Sequence, residues 1–148
     1  GHHNDITTCG DGPEQWERFN LDLQAKFAKI RENEQRWEEI DTADADIIIV
    51  AFGTMARVCL DAIKLARKDG LKVGMIRPIT IWPFPEKAFA NYIGKGKKFF
   101  VAELNAGQMV NDVKIAVNDN ASVEFYGRLG GMIPSPVEIY NKLCELYK

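Results

Sequence analysis

An unbroken apolar run from Ile47 to Phe52, followed at once by a glycine, constrains the fold of this chain more than any other feature. The run is rich in β-branched residues and apolar at consecutive positions, which is typical of a strand buried on both faces of a parallel sheet. After Gly53-Thr54 the apolar residues recur with helical spacing as far as Ala66. The stretch therefore predicts a strand, a tight turn and a helix whose first amides face the end of the strand, where ligands or partner loops dock in open α/β sheets.

Three more strand–helix units follow this first one. The predicted strands are 71–76, 99–104 and 122–126, and the predicted helices are 86–93, 108–117 and 136–147. Repeated strand–helix alternation favours a mostly parallel sheet between two helix layers, with right-handed crossovers. We expect a three-layer α/β/α fold in which the four strands have the spatial order 2-1-3-4. That order places a topological switch point between the first and third strands.

The N-terminal part of the chain has a different pattern. Residues 1–12 are polar and non-periodic, which predicts a loop or arm, and Pro13 is well suited to start a helix. Apolar residues then recur at helical steps, Trp16 and Trp37 among them, and predict a long amphipathic linker helix from Pro13 to Ile40, either continuous or broken near Asn33. We therefore divide the chain into an arm and linker helix at 1–45 and an α/β domain at 46–148. The apolar stripe needs cover, either from the α/β body or from another domain, and an isolated fragment is expected to be able to dimerise through it.

Composition excludes several classes of protein. The 148 residues carry a net charge of −2, and the mildly basic region after residue 46 is too weakly charged to indicate nucleic-acid binding. We expect no membrane span and no secretory signal, because no apolar run approaches the required length of roughly 20 residues. Three widely spaced cysteines without a CxxC motif favour reduced thiols in a cytoplasmic protein, with neither a metal site nor an iron–sulfur motif.

The loops at the predicted switch point supply the candidate site residues. They are Gly53, Thr54, Glu103, Asn105, Gln108 and Arg128. The turn FGTMA has one glycine where a dinucleotide site needs three, and GKGKK precedes a strand rather than a helix, so neither is a nucleotide-binding motif. We assign no residue of the chain a catalytic role and expect no self-contained active site.

Two of these residues leave alternatives open. Catalytic use of Glu103 would need a base or metal nearby, and a glutamate at a buried strand end is more often held by backbone amides or an arginine. Arg128 could clamp a phosphate or carboxylate on a ligand, or pair with Glu103. Asn105 and Gln108 could bind a ligand, but we expect them to cap and line the turn.

Three motifs give the chain a specific resemblance. The segments WPFPE (82–86), VAELNAGQM (101–109) and YGRLGGMIPSPVEI (126–139) resemble the C-terminal domain of the α subunit of 2-oxoacid:ferredoxin oxidoreductases, a domain of the transketolase C-terminal type. The N-terminal segment resembles the linker that precedes this domain, so the likeness covers essentially the whole chain. The opening GHHND is more similar to the 2-oxoisovalerate type than to relatives acting on 2-oxoglutarate, which tend to carry a GxEHD-like run.

The resemblance implies a function for the larger enzyme rather than for this domain. The family oxidatively decarboxylates a 2-oxoacid with coenzyme A to an acyl-CoA and reduces ferredoxin, in anaerobic metabolism. Thiamine diphosphate, magnesium and the iron–sulfur clusters are expected elsewhere in the complex and none of them on this domain. The implied partners are a β subunit and, in larger assemblies, γ and δ subunits. The implied role of this domain is architectural, and the fragment alone is expected to be inactive.

Two alternatives remain at this point. The first is the equivalent domain of a transketolase or of a 2-oxoacid dehydrogenase E1 component. The PSP sequence at 134–136 argues against this alternative. The second is a stand-alone α/β domain that binds a small ligand or nucleotide. That alternative predicts a closed crevice with converging polar groups, whereas the architectural role predicts an apolar surface that another protein covers.

Overall fold

The computed structural model describes residues 12–118 and 120–147, so the predicted arm at 1–11 lies outside the described residues. The chain divides into two compact units, one ending at Glu34 and one beginning at Gln35. The first contains helix α1 (Pro13–Asn33). The second contains, in order, β1 (Trp37–Ile40), β2 (Ile47–Val50), α2 (Gly53–Lys68), β3 (Val73–Pro78), a 3-10 turn (Glu86–Phe89), β4 (Lys98–Glu103), α3 (Met109–Val117), β5 (Ser122–Gly127) and α4 (Pro136–Leu146).

The predicted helix begins at Pro13 and ends at Asn33, where the sequence analysis allowed a break, but its continuation to Ile40 is wrong. Pro13 opens α1, and the helix ends at Asn33, where the amide of Glu34 still donates to the carbonyl of Ile30 at 2.9 Å. Residues Trp37–Ile40 instead form a strand that pairs antiparallel with β3. The sequence WEEI places its apolar residues three apart, which suits a helix, but pairing with a sheet edge overrides this local preference. Trp37 therefore does not continue the apolar stripe that includes Trp16.

The five strands form one sheet in the order β1-β3-β2-β4-β5. The four strands from β2 to β5 are parallel, which confirms the predicted order 2-1-3-4, and β1 adds an antiparallel edge that the sequence analysis missed. The central strand β2 is 0–2% exposed along its whole length, as its unbroken apolar run predicts.

Alternate residues of β2 face two separate cores. Ile47 and Ile49 pack with the apolar faces of α2 and α4. Ile48 and Val50 pack on the opposite side with α3 and the 3-10 turn. The sheet therefore lies between two layers, as predicted. The short helix predicted at 86–93 is limited to a 3-10 turn at Glu86–Phe89.

Strand β3 extends two residues beyond its predicted end at Ile76. Pro78 occupies the last strand position, opposite Trp37 of β1. A proline at the end of a strand interrupts no continuing ladder, so its missing N–H is tolerated there. None of the described helices is long and apolar enough to cross a membrane.

A polar cluster fastens β1 to the rest of its unit. The carboxylate of Glu39 accepts hydrogen bonds from Tyr92 Oη, from Trp37 Nε1 at 2.9 Å and from Thr42 Oγ1 at 3.2 Å. Burial raises the pKa of Glu39, but the hydrogen bonds from Tyr92, Trp37 and Thr42 outweigh it and hold the pKa below its ordinary value of 4.5. The cluster therefore favours the ionised carboxylate in the folded state.

This cluster predicts an acid dependence of stability. Because folding lowers the pKa of Glu39, its contribution is present above pH 4.5 and is lost as the pH falls through the folded-state value. The difference in unfolding free energy between the wild type and Glu39→Gln should therefore shrink as the pH is lowered below that point. Urea unfolding of the wild type and of Glu39→Gln, at pH values above and below 4.5, measures this free-energy difference. In a protein that also carries Tyr92→Phe, which lacks one hydrogen-bond donor to Glu39, the substitution Glu39→Gln should lower the unfolding free energy by less. A free-energy difference between the wild type and Glu39→Gln that stays the same at all pH values would contradict the assignment.

Candidate functional site

The predicted crevice lies at the carboxyl ends of β2 and β4. A cavity of about 210 Å³ opens there, lined by Phe52, Gly53, Thr54, Met55, Ala102, Glu103, Leu104 and Asn105. Gly53 begins α2 with a φ of +57°, a conformation that glycine adopts without strain. Four of the six candidate residues thus meet at one cavity. Gln108 and Arg128 are not among its lining residues.

Glu103 is buried at the end of β4 and is only 1% exposed. Its Oε2 accepts hydrogen bonds from the amide of Met109 at 2.9 Å and from Asn105 Nδ2 at 3.0 Å, and its Oε1 accepts from the amide of Val110 at 3.0 Å. The amide of Gln108 makes longer bonds of 3.3 and 3.4 Å to the two oxygens. The carboxylate therefore caps the N-terminus of α3, where backbone donors and the helix dipole both favour negative charge.

This geometry decides between the two interpretations of Glu103. Backbone amides hold the carboxylate, as the more frequent case predicts, and both oxygens already accept hydrogen bonds. The negative charge of Glu103 also affects the neighbouring Asp112. Burial raises the pKa of Asp112, and the charge of Glu103 raises it further. A carboxylate bound in this way stabilises the turn and is poorly suited to transfer protons.

Asn105 completes a rigid turn between β4 and α3. Its Oδ1 accepts a hydrogen bond from the amide of Gly107 at 2.7 Å, while its Nδ2 donates to Glu103. Asn105 therefore caps and lines the turn, and the amide of Gln108 joins the cap through Glu103.

Arg128 pairs with Glu138, so the predicted pairing with Glu103 is wrong. Its Nη1 lies 3.2 Å from Glu138 Oε1, and only its backbone amide reaches Glu103, donating to the carbonyl oxygen at 3.1 Å. The hydroxyl of Tyr126 also donates to Glu138. Burial and then this hydrogen bond raise the pKa of Tyr126. Glu138 lies on the first turn of α4 and is itself placed by a hydrogen bond from its amide to Ser135 Oγ at 3.1 Å.

With this geometry in place, comparison with known proteins identifies the family. Residues 45–139 match the family described as pyruvate:ferredoxin oxidoreductase core domain II. The chain belongs to the 2-oxoacid:ferredoxin oxidoreductase family. It is 40% identical over 133 residues to the ketoisovalerate oxidoreductase subunit VorB of Methanothermobacter marburgensis, a match that covers 90% of this chain and 38% of that protein. It is 36% identical over 118 residues to the 2-oxoglutarate synthase subunit KorA of the same organism, covering 80% of this chain and 30% of the relative.

Solved structures support the same fold. The 2-oxoglutarate:ferredoxin oxidoreductase of Magnetococcus marinus matches with a TM-score of 0.72 at 22% identity, over 94% of this chain and 24% of that one. A split-gene transketolase, described as an inactive β4 tetramer, matches with a TM-score of 0.60 at 14% identity, over 74% of this chain and 40% of that one. The transketolase C-terminal type of fold expected from the sequence is therefore confirmed. The chain spans well under half the length of the relatives it matches.

The two cysteines of this domain that the structure describes lie on different helices and are both free thiols. Cys59 is fully buried on α2, and burial raises the pKa of its thiol to about 12. Cys144 is a half-buried free thiol on α4. Residues 12–118 and 120–147 contain no cluster of three or more histidine, cysteine, aspartate or glutamate side chains that could hold a metal ion. Cys9 lies outside the described residues.

Sequence reasoning missed one contact that shapes the site in this family member. Gly127 ends β5 beside the turn, and a Cβ atom there would lie 2.4 Å from the carbonyl oxygen of Asn105. The sequence analysis assigns no role to Gly127. The register that places Gly127 opposite Glu103 is a tertiary feature, which the spacing of residues along the chain does not reveal.

Proposed function

We propose that this chain is the transketolase C-terminal-like domain of the α subunit of an oxidoreductase that acts on 2-oxoisovalerate. The observation that carries the proposal is the match to the ketoisovalerate subunit, which is 40% identical across 90% of the chain. The 2-oxoglutarate synthase subunit of the same organism matches at lower identity over a shorter stretch. The difference favours a branched-chain substrate over 2-oxoglutarate.

In the proposed reaction the whole enzyme decarboxylates its 2-oxoacid, joins the acyl group to coenzyme A and passes the electrons through iron–sulfur clusters to ferredoxin. Thiamine diphosphate with magnesium supplies the carbanion chemistry when bound. Two features of the crevice at Glu103 argue against a cofactor there. Glu103 is committed to the cap of α3, and a cavity of about 210 Å³ is smaller than the roughly 300–1,000 Å³ of typical ligand pockets. We therefore place all three cofactors on other parts of the complex.

The role that remains for this domain is to position other parts of the enzyme. A rigid turn capped by Glu103, together with neighbouring loops that carry little charge, suits a surface that supports neighbouring protein rather than one that performs chemistry. We propose a β subunit as the partner, with γ and δ subunits in larger assemblies, and ferredoxin and coenzyme A as partners of the whole enzyme. The free thiols of Cys59 and Cys144 support a reducing, cytoplasmic location.

A substrate panel tests the proposed activity. The chain is produced with the other polypeptides of its oxidoreductase, and ferredoxin reduction is followed with 2-oxoisovalerate, 2-oxoglutarate and pyruvate at equal concentrations, with and without coenzyme A. The proposal expects the highest kcat/KM with 2-oxoisovalerate and dependence on coenzyme A. A preference for 2-oxoglutarate would overturn the substrate assignment, and no activity with any 2-oxoacid would overturn the proposed function itself.

A further inference from the structure

The loops that leave the parallel strands differ sharply in charge from the loops that enter them. Four loops leave the carboxyl ends of the parallel strands, at 51–52 after β2, 79–85 after β3, 104–108 after β4 and 128–135 after β5. Their only charged residue is Arg128, which the ion pair with Glu138 already neutralises. These four loops are therefore almost free of uncompensated charge, although the antiparallel β1 brings Arg36 to the same edge, where its carbonyl accepts hydrogen bonds from the amides of Ile79 and Thr80.

The opposite edge has the composition of a solvated surface. The loops that enter β2 and β3 carry Asp41, Asp44, Asp46, Asp69 and Lys72, and the loop that enters β4 carries Lys95 and Lys97. Both edges consist of connecting loops of the same unit, so the difference does not follow from loop structure. Depletion of charge is what distinguishes the core of a protein interface from the remaining surface.

Large apolar side chains are exposed along the carboxyl edge. We define the carboxyl-edge surface by six residues that are 37–61% exposed: Phe52, Ile79, Ile81, Leu104, Leu129 and Met132. The strand order places their loops side by side, from β3 through β2 and β4 to β5. Phe52 and Leu104 line the same cavity, and the amide of Arg128 binds the carbonyl of Glu103, so neighbouring loops are in contact.

The size of this surface fits a protein partner. Six such side chains expose on the order of 500 Å² in total, since a large side chain offers roughly 150–250 Å² when fully accessible. A stable interface buries about 800 Å² on each partner, somewhat more than half of it apolar. The carboxyl-edge surface is therefore of the size that one such interface needs.

We infer that the carboxyl-edge surface docks the polypeptide that the relatives of this chain carry outside the matched segment, through an apolar, charge-poor face of that polypeptide. This inference rests on the proposed function, because it takes the partner from the same oxidoreductase. The matched segment makes up 38% of the ketoisovalerate subunit, so most of that protein lies outside it and is available to cover this edge. The cap formed by Glu103 holds the turn that carries Leu104, so the surface is ordered before it binds and loses little conformational entropy on docking.

A charge placed on this surface tests the inference. Leu129→Asp is compared with Ile115→Asp, which alters a residue that is 69% exposed on α3 and lies outside the carboxyl-edge loops. Both side chains are exposed in the chain alone, so thermal unfolding of each isolated variant should remain close to that of the wild type. Assembly with the remaining polypeptides of the oxidoreductase, measured by size-exclusion chromatography with light scattering, should weaken by roughly tenfold or more for Leu129→Asp only.

Each other outcome overturns the inference. Normal assembly of Leu129→Asp would show that the partner docks elsewhere. Failure of the wild-type chain to assemble would show that this surface docks no such partner. A wild-type chain that is dimeric alone and becomes monomeric with Leu129→Asp would show that a second copy occupies this surface. Ferredoxin reduction by the wild-type complex is scored separately, so an assembly that forms through this surface but oxidises no 2-oxoacid refutes only the proposed function.

Discussion

Glu103→Gln should lower the unfolding free energy by roughly 2–4 kcal/mol, since it replaces a buried acceptor of several hydrogen bonds with a side chain that must turn an NH₂ group toward backbone amides. The carboxylate oxygens now accept from the amides of Met109 and Val110 at 2.9 and 3.0 Å. The amide side chain can satisfy only one of these two donors, and the other is left buried without a partner. Urea unfolding monitored by circular dichroism at neutral pH measures the loss.

Asp112→Asn is the matched control for this prediction. It removes a charge of the same sign from the first turn of the helix that Glu103 caps, but burial and the nearby Glu103 already disfavour the charge of Asp112. Its unfolding free energy should remain within about 0.5 kcal/mol of the wild type or rise slightly. Equal destabilisation by both substitutions would mean that overall charge, rather than the cap, sets the stability.

Gly127→Ala should destabilise the domain by about 3 kcal/mol, at the upper end of what overpacking typically costs. The new Cβ atom would lie 2.4 Å from the carbonyl oxygen of Asn105 and 2.6 Å from Cζ of Phe125. The phenyl ring can rotate away, but the carbonyl belongs to the turn that Glu103 and Asn105 hold, so the backbone must shift. Thermal unfolding followed by circular dichroism, with the unfolding enthalpy, gives the change in free energy.

Ser122→Ala provides the comparison on the same strand. Ser122 is exposed at the start of β5, so this substitution should change the unfolding free energy by no more than about 0.5 kcal/mol. If Gly127→Ala were as stable as Ser122→Ala, the close approach between β5 and the turn would be refuted, and with it the rigidity attributed to this part of the site.

The parallel sheet was predictable because its signals are local. The run from Ile47 to Val50 is apolar at every position, and a strand buried on both faces requires this. Gly53 then marks the turn into α2. Strand order followed from the repetition of strand and helix with right-handed crossovers, and the switch point followed from the order.

The errors occurred where tertiary contacts outweigh local pattern. The sequence WEEI fits helical spacing, and only its pairing with β3 and the cluster around Glu39 make it a strand. Pairing with Glu103 was one of two alternatives for Arg128, but its guanidinium group pairs with Glu138 on the following helix. Contacts between side chains that are distant in sequence depend on register, which single-sequence periodicity does not specify.

The most direct test of the central claim, that this domain positions other parts of the enzyme and holds no cofactor itself, is ligand-dependent thermal unfolding of the chain alone. Magnesium with thiamine diphosphate, and separately coenzyme A, are titrated while the Tm is followed. A ligand present at about one hundred times its Kd stabilises the folded state by about 2.7 kcal/mol, which would raise the Tm by roughly 5–10 °C. The account predicts no change in Tm with either ligand. A saturable rise with thiamine diphosphate and magnesium would contradict it.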